Sequence, residues 1–354
     1  MNGSESTTSA PGLDWRLCVA PMMEWTTSPC RIFHRRLSPH ARLYTEMVHA
    51  SAAVHGDRAR LLGFDPGEHP LALQLGGSEP ELLAQAARIG ADFGYDEINL
   101  NCGCPSERVQ SGAFGACLMR EPELVADCVA AMRAAVQIPV TVKCRIGVDD
   151  QDEDADLFRF VERVHRAGCE VFIVHARKAW LKGLSPKENR EIPPLNYDRA
   201  RRLRSEFPQL TLVLNGGLAS RAAVAAVMPD FDGVMLGRAA YHEPYLLAEL
   251  ERDLFDADYA LPDRAAVLRA LRPQIEARLA RGESIAHFTR HLLDLYQGQP
   301  GARRFRRVLS ENAHRPGANF ELIERAIAAV EAVPAACMPV ACDGQTHARP
   351  TTSP

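Results

Sequence analysis

Eight short apolar runs recur along the first two-thirds of the chain, separated by stretches of helical periodicity. They are Arg16–Ala20, Ala41–Glu46, Leu71–Leu75, Glu97–Asn101, Val140–Cys144, Val171–His175, Leu210–Leu214 and Gly233–Leu236, and each predicts a strand. Between them, Glu79–Phe93, Glu121–Val136 and Asp156–Ala167 predict amphipathic helices. In the first of these, Leu82, Ala86 and Ile89 fall at helical spacing, and Ser78 stands where an N-cap belongs. Near-continuous apolar strands alternating with helices predict a parallel sheet covered on its outer face. Eight such units close as a (β/α)8 TIM barrel. A doubly wound open sheet is the alternative, although it usually has fewer strands and a switch point.

The pattern changes after Pro244. From Tyr245 to Val333 there is only helical periodicity, broken near Leu261–Pro262, Gly282, Gln297–Gly301 and Pro316–Gly317. This predicts a small bundle of about four helices. The expected organisation is a disordered lead over 1–13, a barrel over 14–244, a helical domain over 245–333 and a disordered tail over 334–354. The lead is rich in Ser and Thr and has neither the basic nor the apolar segment of a signal peptide.

Composition narrows the class. The 354 residues, 46% hydrophobic and 24% charged, are ordinary for a globular protein. A barrel needs only about 250 of them. No apolar run approaches the roughly eighteen residues of a membrane span. Ten cysteines include no C-x-x-C pair, so no metal site is expected. Thiols set in apolar runs, such as Cys18 and Cys144, fit a reducing cytoplasm.

Net charge is −4, which alone argues against a nucleic-acid partner. Its distribution argues otherwise. Residues 264–315 hold eleven Arg, no Lys and four acids, while acidic residues gather at Asp149, Asp150, Asp152, Glu153, Asp154 and Asp156. A basic segment on a mildly acidic chain suggests a localised footprint for phosphate, with solvated helix faces as the plainer alternative.

In a barrel, function collects where strands run into βα loops. Polar residues stand at those ends with regularity. Pro21, Met22 and Met23 follow the first strand, Gln74 ends the third, and Asn101, Cys102, Gly103 and Cys104 end the fourth. Lys143 and Arg145 end the fifth, and His175 and Arg177 the sixth; Asn215, Gly216 and Gly217 end the seventh, and Gly237 and Arg238 the eighth. Glycines after the last two strands let backbone N–H groups approach an anion, and Arg238 adds charge; tight turns would also use them. Lys143 and His175 would be costly to bury without a polar or anionic partner. A flavin offers one, because a cation near its N1–C2 edge stabilises the reduced ring.

The runs APMMEWT, RLYTEM, HPLALQLGG, YDEINLNCGCPS, GAFGACLM, VTVKCRIG, FIVHAR, NREIPPL, LVLNGG and DGVMLGRAAY closely resemble those of the tRNA-dihydrouridine synthases. They occur in order over roughly 17–325 at strand-end spacing. The resemblance implies an FMN site built from Pro21, Met22, Met23, Gln74, Lys143, His175, Asn215, Gly216, Gly217, Gly237 and Arg238. It implies NADPH as reductant, although no dinucleotide fingerprint is present. It places Cys104 as the proton donor to uracil C5, after hydride from the flavin reaches C6. Cys102 is a rival by proximity, with core filler as its plain role; an oxidised pair with Cys104 is a further option.

The substrate uridine must be flipped out of a folded tRNA, where shape and phosphate contacts dominate recognition. Gly301–Glu311 and Lys187–Leu195 resemble segments of the A-type bacterial subfamily, which acts on D-loop uridines 20 and 20a. The resemblance carries tRNA contact onto Asn101, Lys187, Arg190, Arg303 and Arg306. No membrane and no obligate protein partner are expected. Two other readings are a small-molecule reductase of the dihydroorotate dehydrogenase or ene-reductase type, and a non-catalytic tRNA chaperone. The first needs no arginine-rich appendage, and the second no Asn101/Cys104 pair.

Overall fold

Strand residues alternate between a helix-covered outer layer and the barrel interior, and this alternation positions the site. The computed structural model describes residues 14–106, 114–151 and 154–332. The expected lead, the expected tail and Gly112–Ala113 lie outside them. Nine strands form one parallel sheet: β1 Leu17–Val19, β2 Arg42–Tyr44, β3 Val48–His49, β4 Leu71–Gly76, β5 Glu97–Cys102, β6 Val140–Arg145, β7 Val171–His175, β8 Thr211–Asn215 and β9 Gly233–Leu236. Because β1 bonds to both β2 and β9, and β2 to β4, eight of them close into a barrel.

The short β3 was not expected. It pairs with β4 beyond β2, so the two make one interrupted strand. The interruption falls at Thr45, whose hydroxyl accepts the Gln74 backbone N–H at 3.1 Å. The expected helices are found at Pro80–Phe93, Pro122–Ala135 and Asp154–Arg166. Ser78 is not the N-cap of the first: Glu79 is, with Pro80 in the first turn. Proline fits the first helical position because its missing N–H has no partner there anyway. Asp154–Arg166 buries Leu157, Phe160, Val161 and Val164, one stripe at helical spacing. Each such side chain contributes about 1.5–3 kcal/mol of burial.

Beyond Pro244 the described residues form six helices instead of about four: Leu246–Leu254, Arg264–Arg269, Arg272–Ala280, Ala286–Leu292, Ala302–Asn312 and Glu321–Glu331. Pro273 at the start of Arg272–Ala280 helps explain one extra break, since proline cannot continue a helix from within. Leu246–Leu254 packs on β1 and on the Ser28–Leu37 helix, completing the barrel's outer layer. Of the remaining helices, Arg264–Arg269 and Ala286–Leu292 pack on the Ser28–Leu37 helix, with polar contacts set among the buried apolar ones. There Trp25 stacks on Tyr241 at 4.4 Å between centroids, and His291 joins Thr27 Oγ1 (2.9 Å) to the Tyr241 hydroxyl (3.1 Å). Arg278 donates to Ser28 Oγ at 2.8 Å, and Ser28 in turn donates to buried Glu68 at 2.5 Å.

One apolar cluster runs through the helix layers, and a second, smaller one lies inside the barrel: Cys18, Ala20, Tyr44, Ala72, Ile173, Val213 and Met235. The rest of the interior is polar. Among the described residues no helix is long and apolar enough to cross a membrane.

Candidate active site

The outward pleat of β5 carries Ile98, Leu100 and Cys102, and the inward pleat carries Glu97, Asn99 and Asn101. Cys102 is fully buried in the outer core, and burial pushes its thiol well above the ordinary range. It packs in the outer core, on the opposite pleat from Asn101. Cys104 is partly exposed just past the strand end. Its backbone N–H and that of Gly103 both donate to Asn101 Oδ1, each at 3.0 Å. Asn101 Nδ2 donates to Gln74 Oε1 at 2.8 Å. The Asn101 carbonyl is thus committed to the loop, leaving one amide N–H for other partners.

Arg145, at the end of β6, was noted in the sequence but assigned no role. It is buried, and its Nε donates to the Gly103 carbonyl at 2.9 Å. Its Nη1 donates to the carbonyls of Lys178 and Asn189 at 3.0 Å each, so one guanidinium ties the loop after β5 to two points of the loop after β7. Burial lowers its pKa to about 10. Lys143, one pleat below, donates to Asn215 Oδ1 at 3.1 Å, and Asn215 Nδ2 donates to the Met235 carbonyl at 2.7 Å. Burial, then the neighbouring Arg145, pushes the Lys143 ammonium down to about 8. Burial also holds His175 well below its ordinary pKa, aided by Arg145 and Lys143, so its ring is neutral.

Gly216 and Gly217 have φ of +111° and +72°. A Cβ on Gly216 would stand 2.6 Å from His175 Cδ2, and one on Gly217 2.4 Å from Leu195 Cδ1. Glycine is therefore required by both conformation and packing. Gly237 is roomier: its Cβ would sit 3.9 Å from Ala20 and 4.0 Å from Met22 Sδ, placing Met22 and Gly237 side by side. Pro21 lies in the same turn after β1. Arg238 is exposed and pairs with Glu191 at 2.5 Å.

The Lys187–Leu195 loop is pinned by buried Asn189, whose Nδ2 donates to the carbonyls of Trp180 (2.9 Å) and Leu184 (3.1 Å). That anchor holds Lys187 and Arg190 at the surface. Arg190 is within electrostatic reach of Arg238 and Cys104. Lys143, Arg145 and Arg190 thus lie within electrostatic reach of Cys104, with Asn215 bonded to Lys143, Gly216 against His175 and Arg238 beside Arg190.

Met23 is 60% exposed and lines a groove of about 1020 Å³ with Thr45, Arg31, Arg278 and Arg290. Two expected residues lie on the helical region. Arg303 and Arg306 lie on the Ala302–Asn312 helix, where Arg303 is exposed and Arg306 pairs with Asp294 at 3.1 Å. The arginine excess of 264–315 is partly offset from outside that window, since Glu324 pairs with Arg269 and Arg272. Asn99 stands in the polar run at the end of the fourth strand without an expected role, and Thr141 and Glu97 were not expected; the alternation of Glu97-Ile98-Asn99-Leu100-Asn101 was the available signal.

Comparison with known proteins agrees with this architecture. The family described as dihydrouridine synthase (Dus) matches residues 18–332. A tRNA-dihydrouridine(20/20a) synthase of Xanthomonas axonopodis pv. citri is 63% identical over 312 residues, covering 88% of this chain and 93% of that protein. The protein of the same name from Vibrio cholerae is 54% identical over 316 residues, covering 89% and 96%. That from Synechocystis is 54% identical over 313 residues, covering 88% and 94%. Barrel, strand-end constellation and these matches agree: the chain belongs to the dihydrouridine synthase family, oxidoreductases acting on CH–CH groups.

Proposed function

We propose that this protein reduces the C5–C6 double bond of uridine in the tRNA D-loop, at positions 20 and 20a, with FMN held in the barrel mouth. When bound, reduced FMN supplies a hydride to uracil C6, and NADPH is the reductant that regenerates it. Cys104 gives the proton: its S–H bond breaks as the C5–H bond forms, and solvent reprotonates the sulfur. The observation that carries the reading is the placement of Cys104, partly exposed beside a cationic mouth, with the backbone on both sides of the Gly103–Cys104 peptide held by Asn101 and Arg145.

The mouth fits an anionic cofactor. Lys143 keeps two N–H groups beyond the one given to Asn215, and these suit an electron-rich ring edge. His175 and the second amide N–H of Gln74 add neutral donors. Gly216, Gly217, Gly237 and the free donors of Arg238 are assigned to the phosphate, and Pro21, Met22 and Met23 to the flanking turn. Asn101 through its remaining N–H, Lys187, Arg190, Arg303 and Arg306 are assigned to tRNA. In this division 14–244 is catalytic and 245–333 serves tRNA, with Leu246–Leu254 packed on the barrel. The site of action is the cytoplasm, in keeping with the free thiols of the described cysteines.

The deciding experiment is anaerobic. The flavin of purified holoenzyme is reduced and tRNA lacking dihydrouridine is added. Reoxidation by this tRNA, and not by fully modified tRNA, is expected. Flavin that stays reduced would move the acceptor to a small molecule, and failure to bind FMN would overturn the reading.

A further inference from the structure

Five side chains inside the barrel form one unbroken line of hydrogen bonds from its floor to the loop of Cys104. At the floor, the Glu97 carboxylate is fully buried, lies 3.4 Å from Arg42, and accepts from Trp15 Nε1 and the Tyr44 hydroxyl at 2.8 Å each. Thr141 donates to it at 2.5 Å. The Thr141 oxygen accepts from Asn99 Nδ2 at 2.7 Å, and Asn99 Oδ1 accepts from Gln74 Nε2 at 2.8 Å. Gln74 Oε1 accepts from Asn101 Nδ2 at 2.8 Å, and Asn101 Oδ1 takes the N–H groups of Gly103 and Cys104. Strand register makes the line possible: Gln74 lies opposite Asn99, and Asn99 opposite Thr141.

Its direction is fixed at both ends. A carboxylate paired with arginine only accepts, and backbone N–H groups only donate. Turning any one amide over would set N–H against N–H on one side and oxygen against oxygen on the other, a carbonyl for Gln74 or Asn101 and the Thr141 hydroxyl for Asn99. In a buried interior, each such mismatch costs the desolvation of an unpaired group.

We propose that Thr141 and Glu97 are positioning residues for Cys104, imposing through Asn99 and Gln74 the amide orientation in which the Asn101 carbonyl holds the Gly103 and Cys104 N–H groups. Neither residue needs to touch the substrate for this. The consequence for turnover rests on the reading of Cys104 as proton donor; the consequence for the loop does not.

The test reads amide exchange at Gly103 and Cys104 in the full chain. Thr141→Val keeps the shape and removes the relay hydroxyl. It is expected to speed exchange at these two amides on the order of tenfold, toward the rate of Asn101→Ala, with the other strand ends unchanged. Thr141→Ser is expected to match the wild type. If Thr141→Val does not fold, Asn99→Leu breaks the same line one bond higher. Wild-type exchange in the variant, with Asn101→Ala fast, would overturn the proposal. Reoxidation by tRNA is expected to fall in Thr141→Val and return in Thr141→Ser. If exchange responds as expected but even the wild type does not reduce tRNA, the relay stands and the functional reading falls.

Discussion

Lys143 and Asn215 meet across the strand that carries His175, with Nζ donating to Oδ1 at 3.1 Å. Burial and Arg145 bring the ammonium down to about 8, so it loses its charge as pH rises through that value. Flavin affinity should therefore weaken from about pH 7 to about pH 9. Fluorescence titration of the apoprotein with FMN checks this, and a Lys143→Gln protein should bind more weakly with a flatter profile.

Replacing Cys104 with Ala should lower tRNA-dependent reoxidation by about a hundredfold or more, the scale of a lost general acid. Flavin reduction by NADPH and tRNA affinity should stay near wild type, because the thiol acts in the chemical step. Single-turnover absorbance separates these events.

Arg303 and Arg306 should behave differently although they share a helix. Arg303 is exposed, and Arg303→Ala should reduce the slope of log affinity against log salt for tRNA by about one. Arg306 also pairs with Asp294 and donates to the Leu293 carbonyl at 3.3 Å. Arg306→Ala should therefore cost up to about 1 kcal/mol of stability as well. Filter binding at several salt concentrations, with melting curves, distinguishes the two.

His34 and His291 are buried, and burial pushes both down to about 3 from an ordinary 6.5. Both stay neutral in the fold, whereas the unfolded chain takes up protons below pH 6.5. Stability is thus full above that pH and lost as pH falls, by about 3 kcal/mol for the pair at about pH 5.5. Urea titrations at the two pH values check the slope, and a His34→Gln variant that folds should lose about half of it.

How much was legible depended on whether the signal was local. Val171–His175 and Gly233–Leu236 could be bounded from sequence because apolar runs end there in polar or glycine residues. The second strand could not, because the hydroxyl of Thr45 accepts an N–H from residue 74 and breaks the ladder. The cap at Glu79 was missed because Pro80 outweighs Ser78. At the site, strand-end residues stood out by polarity alone. Glu97 and Thr141 did not, and Asn99 stood out without a role, since their meaning depends on register between strands some forty residues apart. The places of Cys102 and Cys104 needed the pleat, which sequence spacing shows only once the end of the strand is known.

The Trp25–Tyr241 stack, with His291 joined to Thr27, bears on how this protein can be re-engineered. The β1 turn supplies Met22 to the mouth, and a few residues later Trp25 and Thr27 to this contact. A helical appendage exchanged between relatives as a cassette would therefore arrive without its matching socket. Only a graft that carries the 22–27 segment along with its helices would keep wall and vessel in one piece.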